Sequence, residues 1–253
     1  METVEEKKQE KSSSVEKAIL IFVVLGLVLS VFNQFQLFSL KSGTPIPTGM
    51  AIATAAVIPS GIPEIYGSEL GIRYDDINPN NPSLADKTIE ILANYDRTTN
   101  LQGANLERYI SIASQMSCEY CCGAQSIIVR REDVEAMDEK IEAALAAGQI
   151  TEAQAKSYRT TAGTAACGCA HSYAMRGLAK YLITEHGTEF SDEQILEELA
   201  KWKTLFFPGP MSAKAEVLKQ KDIAFSYASL GSNAYRGIEQ GASSGSSGMV
   251  GGC

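Results

Sequence analysis

Residues 191–208 read SDEQILEELAKWKTLFFP, and this stretch decides the fold class. Ser191 followed three residues later by Gln194 forms a capping box, a signature of a helix start. Ile195, Leu199, Trp202 and Phe206 then recur at helical spacing and share one face. Pro208 closes the stretch, because a proline inside a helix removes a backbone donor and clashes with the preceding turn.

The same signals recur on either side. Ser83 can cap a helix through about Tyr95, and Leu106, Tyr109, Ile110 and Ala113 mark a second from about Asn105 to Gln115. Glu132 to Ala147 is a third, closed by Gly148. Thr151 and Gln154 open a fourth with another capping box. Cys169 to Glu185 forms a helix stopped at Gly187, and Ala213 to Tyr227 forms the last. Gln125 to Arg131 (QSIIVRR) reads as a short strand. The expected fold class is therefore mainly α, an N-terminal transmembrane helix followed by a small extracytoplasmic helical domain.

The anchor rests on the absence of charge between Lys17 and Lys41, where residues 18–32 read AILIFVVLGLVLSVF. About 20 such residues cross a bilayer as a helix. Lys7, Lys8, Lys11 and Lys17 precede the span and only Lys41 follows it closely, so the N-terminus is expected in the cytoplasm and the domain outside. The alternative is a cleaved signal peptide, which lacks an A-x-A-like cleavage site here. The chain divides into a charged cytoplasmic tail (1–17), a single-pass anchor in the cell membrane (18–40), a Pro/Gly-rich stalk (41–83), a helical Cys/His domain (84–230) and a flexible Gly/Ser-rich tail ending in Cys253 (231–253). The net charge is −8, and no Lys/Arg run stands out, which argues against a nucleic-acid partner.

Five of the six cysteines fall into two groups: Cys118, Cys121 and Cys122 in SCEYCCG, and Cys167 and Cys169 in CGCAHS, where His171 follows. Thiolates and imidazole are ligands of Zn, Cu(I) and iron–sulfur centres. If the first group is helical, its three sulfurs share one face. Gly168 lets Cys167 and Cys169 turn toward one centre. Met175 lies a turn beyond His171 and reads as a packing residue. A Gly/Ser-rich tail of this length reaches about 20 Å as a flexible chain, which allows Cys253 to join. The metal candidates are thus Cys118, Cys121, Cys122, Cys167, Cys169, His171 and Cys253. More groups are present than one tetrahedral ion needs, which points to a multinuclear site or to a mixture of ligands and disulfides. Copper leads, because an exported thiolate-rich site with nearby His and Met suits Cu(I). Zinc comes second, and iron–sulfur third because such clusters fare poorly in an oxidising compartment. Two alternatives stay open: a disulfide framework without metal, and thiol–disulfide exchange at Cys118-Glu119-Tyr120-Cys121. No Ser-His-Asp arrangement, phosphate loop or H-E-x-x-H is present, so no catalytic residue is assigned.

SCEYCCGA, CGCAHSYAMRGLAKYLI and KWKTLFFPG, in this order after an anchor, resemble a group of uncharacterised prokaryotic membrane-anchored proteins. The resemblance covers roughly residues 100–210 and carries no activity with it. It implies a prokaryotic origin.

Overall fold

The computed structural model describes residues 57–240 and 248–252, and the expected anchor at 18–40 lies outside them. Among the described residues the structure is mainly helical, with no named strand and no helix long and apolar enough to cross a membrane. The helices are α1 (Gly67–Leu70), α2 (Pro82–Thr98), α3 (Gly103–Ala113), α4 (Arg131–Ala146), α5 (Glu152–Tyr158), α6 (Ala170–Glu185), α7 (Asp192–Phe206), α8 (Pro208–Gln220) and α9 (Tyr227–Gly231), with short 3-10 turns at Tyr74–Asp76 and Asn233–Tyr235.

Local chemistry sets most of these boundaries. At α7, Gln194 N donates to Ser191 Oγ at 3.2 Å and Ser191 N donates to Gln194 Oε1 at 2.8 Å, so two helix-start donors are satisfied reciprocally. Pro208 ends α7 as expected, but it also starts α8, where its missing N–H costs nothing at the first helical position. The last long helix therefore runs from Pro208 to Gln220, rather than from Ala213 to Tyr227. Likewise α2 begins at Pro82 under an Asn81 cap instead of at Ser83, with Leu84 N donating to Asn81 Oδ1 at 3.3 Å.

The core forms where α6 meets α2, α3 and α7. The closest approach is at Gly177 in α6, where a Cβ atom would stand 1.9 Å from the Leu92 carbonyl of α2. Ala174 is also fully buried on α6, so the small residues serve close helix packing, as their spacing suggests. Trp202 on α7 is fully buried, and its Nε1 donates to Tyr66 Oη at 2.7 Å. Tyr66 and Tyr74 both donate to Glu198 Oε2, at 2.8 and 2.6 Å. These tyrosines, with Ile72 and Ile77, belong to the segment expected as a stalk, yet they are core residues. Hydrogen bonds to a buried carboxylate bind this irregular segment to α7 where helical pairing cannot.

His186 follows α6, beside Gly187 as the helix stop. Its Nδ1 lies 2.9 Å from Glu189 Oε1 and its Nε2 lies 3.0 Å from Glu69 Oε2. Burial pulls its pKa down, but hydrogen bonding to Glu189 and Glu69 and their charges outweigh this, and the net shift is upward.

Two outcomes are expected. Gly177→Ala should destabilise the fold by about 1–3 kcal/mol through overpacking, although Ala in an open helix is favoured over Gly by about 1 kcal/mol. Denaturant unfolding measures this, and a gain in stability would show that the α2–α6 crossing has room to spare. For His186, the folded pKa lies above the unfolded value of about 6.5, so its stabilisation is complete below that pH and is lost as pH climbs through the folded value. The melting temperature should therefore decline more steeply above neutrality in the native chain than in His186→Gln, and parallel curves would rule the linkage out.

Candidate metal centre

The first cysteine group is not helical. α3 ends at Ala113, and long-range backbone pairing takes over from there. Ile127 N donates to Met116 O at 3.0 Å, and Cys118 N donates to Ala124 O at 3.1 Å. These bonds fold residues 116–127 into a tight loop that turns at Gly123, whose φ of +72° suits glycine. Cys118, Cys121 and Cys122 therefore do not share a helix face. Cys118 points into the core, while Cys121 and Cys122 are exposed at the rim.

Gln125 to Arg131 makes one isolated bridge, Ile128 to Ala165, instead of a regular strand. Val129 N donates to Thr164 O at 2.8 Å, Gly163 N to Val129 O at 2.9 Å, and Ala166 N to Ile127 O at 3.2 Å. This pairing runs directly into Cys167, and it delivers the second group to the first. The intervening α4 and α5 return the chain, but the bonds across 127–129 and 163–166 fix the register.

At the end of this pairing the sulfurs of Cys118, Cys167 and Cys169 all lie within 4.8 Å of one another, a group that could hold a metal ion. Cys118 Sγ is 4.0 Å from Cys169 Sγ and 2.9 Å from Ser172 Oγ. Cys169 is the N-cap of α6, and its Sγ accepts from Ser172 N at 3.4 Å. A disulfide joins Cys122 to Cys167, so it links the two groups rather than closing within the C-x-x-C. Cys121 contacts Cys169.

The two nearest thiols are driven apart in acidity. Hydrogen bonding with Cys118, and to a smaller degree with Ser172 and Cys121, pulls the Cys169 thiol down to about 3. The bond to Cys169, with burial, pushes Cys118 well above the usual thiol range. One proton is thus kept by Cys118 and shared toward a Cys169 thiolate, which the N-terminus of α6 also favours.

His171 is fully buried in the first turn of α6, against Phe206 and Phe207 with ring centroids 4.7 and 5.0 Å away. Its Nε2 lies 3.0 Å from the Val250 carbonyl. A carbonyl can only accept, so Nε2 carries the proton and Nδ1 presents a lone pair. Nδ1 is buried and has no hydrogen-bond partner. A protonated ring nitrogen held by a backbone carbonyl, with the other nitrogen bare, is how ligating histidines are commonly set. Residues 248–252 are docked here rather than flexible: Val250 is buried, and its N donates to Phe206 O at 2.9 Å. Cys253 lies outside the described residues. Met175 is buried in the core, as a packing residue.

Sequence reasoning missed the charged groups beneath the two loops. Glu119 Oε1 accepts from Lys203 Nζ at 3.2 Å and from Lys214 Nζ at 3.0 Å, and both lysines are buried. Lys203 also donates to Ser117 Oγ at 2.6 Å and Gly231 O at 2.9 Å. Burial lowers Lys203 to about 8. Burial would raise Glu119, but the charges of Lys203 and Lys214 and their hydrogen bonds hold it below the usual carboxylate range. Under the second loop, Arg176 donates to Cys167 O at 2.9 Å and pairs with Asp96 at 2.8 Å, and Lys180 pairs with Asp96 at 2.8 Å. Lys203 could have been found, since it follows Leu199 by four residues and so falls on the apolar side of α7. No family model matches the chain, and no curated protein or solved structure matches it.

Proposed function

We propose that this protein is a membrane-anchored holder of a soft metal ion, copper first and zinc second, displayed outside the cytoplasm for metal holding, delivery or electron transfer. The observation that carries the reading is the convergence of Cys118, Cys167 and Cys169 within 4.8 Å from loops distant in sequence. Near them, His171 presents a buried Nδ1 that makes no hydrogen bond. Cu(I) accepts two or three sulfur ligands, and zinc asks for four tetrahedral ones, so three clustered sulfurs suit copper better. Exposed Cys121, in contact with Cys169, offers an entry and exit ligand.

Cys167 cannot serve the disulfide and the metal at once. A dithiol reductant delivers two electrons and two protons to the Cys122–Cys167 bond, yields two thiols, and is itself oxidised to a disulfide. Metal then displaces the thiol protons. The disulfide itself favours a second reading, a disulfide-stapled structural or interaction protein without metal.

After dithiol treatment, the full chain in detergent should bind Cu(I) with a thiolate charge-transfer absorbance, and Cys169→Ser should abolish it. The untreated protein should bind at least about tenfold more weakly, roughly the change seen when metal-site support is removed. Equal binding by reduced, untreated and Cys169→Ser proteins would defeat the metal reading, and reduced protein with no bound metal would favour the disulfide one. For topology, protease added outside intact cells should cut beyond Lys41 and spare Lys17, whereas full protection of the domain would place it in the cytoplasm.

A further inference from the structure

Two largely buried charge arrays underlie the sulfur loops, and each sets two cations against one carboxylate. Beneath the first loop, Lys203 and Lys214 share the single carboxylate of Glu119, through one oxygen, while its Oε2 is buried without a hydrogen-bond partner. Beneath the second, Arg176 and Lys180 share the single carboxylate of Asp96. Counting formal charges, each array carries two cations and one anion and is left at +1. Arg236 donates to the carbonyls of Gly123 and Ala124, and Glu239 accepts from Tyr120 Oη; these add one charge of each sign at the first loop and cancel. Asp86, which accepts from Gly252 N near His171, is exposed to solvent.

Buried cations in excess are costly unless an anion faces them. The chain as a whole carries −8, so its composition does not account for this surplus. Both arrays are tied directly to the cysteine segments. Lys203 reaches Cys118 through Ser117, its immediate neighbour, and Arg176 holds the carbonyl of Cys167 itself. The N-terminus of α6 adds partial positive charge at Cys169.

We infer that the centre is held as a polyanionic thiolate complex, balanced by the buried pair Lys203–Lys214 and the largely buried pair Arg176–Lys180, and that this balance selects monovalent over divalent soft ions. The inference rests on the metal reading above and deepens it. With Cys118, Cys167 and Cys169 as thiolates, a Cu(I) complex carries −2 and cancels the two arrays. The same sulfurs around Zn(II) carry −1 and leave a buried positive charge. The two complexes share their ligands and differ by one charge at one place. The buried cations therefore act on the ratio of the two affinities, whatever they contribute to folding.

The ratio is measured on the full-length, dithiol-reduced chain in detergent, with Cu(I) and Zn(II) each titrated against a competing chelator. Lys214→Met and Lys180→Met, one in each array, should each lower the preference for Cu(I) about tenfold, the effect of one charge acting over about 10 Å at an effective dielectric of about 20. Glu119→Gln and Asp96→Asn should raise it. Both kinds of substitution break the same ion pairs, so a purely structural role would move the ratio the same way in all four or leave it unchanged. Either result, in any variant whose circular dichroism stays native, overturns the inference. A wild-type chain that holds neither ion brings down the metal reading and this inference with it. A wild-type chain that holds both, with an unmoved ratio in the variants, brings down the inference alone.

Discussion

The guanidinium of Arg176 is buried in α6 and holds three other parts of the chain at once. It pairs with Asp96 on α2, donates to the carbonyl of Ile127, and donates to the carbonyl of Cys167. Each partner comes from a different segment, so one side chain sets the distance between the closest helix pair and both halves of the sulfur site. Such a group is stable only when its donors find acceptors, because a buried charge without partners costs far more than a neutral hydrogen bond returns. The crossing at Gly177, the next residue, brings α2 near enough for Asp96 to reach. Glycine at 177 and arginine at 176 are thus two halves of one constraint: the absent side chain permits the contact that the long one completes.

Much of the helical frame could be read from the chain. Capping boxes at Thr151 and Ser191 appear where the sequence places them, and the face of Ile195, Leu199, Trp202 and Phe206 is buried. These features are local, set by bonds three residues apart and by a repeat within one helix. The cysteine segment was harder to read. Its helical spacing at 118, 121 and 122 is a coincidence of numbers, since the backbone of Met116 and Cys118 bonds instead to Ile127 and Ala124. Such bonds depend on tertiary placement, which no local pattern encodes. The convergence of the two groups was legible because clustered thiols have few other uses. Which sulfurs face inward was not, and neither were the lysines, because a buried lysine resembles a surface one until its carboxylate partner is located in space.

The sulfur site combines two chemistries that compete for one atom. As a disulfide partner of Cys122, Cys167 staples the loops and needs no metal. As a thiolate it joins Cys118 and Cys169 in a soft donor set. The register of the loops does not depend on that choice: the pairing of 127–129 with 163–166 and the Arg176 contacts are made by backbone or by other side chains. These bonds fix the loop register without sulfur, so Cys167 can change its chemistry while the backbone pairing stays in place.

The segment around Val250 has a bearing on how the protein is made. Its carbonyl fixes the proton on His171, and its amide bonds Phe206 behind that ring. The two cysteine groups and His171 all emerge from the ribosome well before residue 250. A nascent chain therefore carries its cysteines early, while its histidine remains free to hold the proton on either nitrogen. The proton on His171 is therefore assigned only when the late segment docks, so the histidine takes its final form after both cysteine groups have been made.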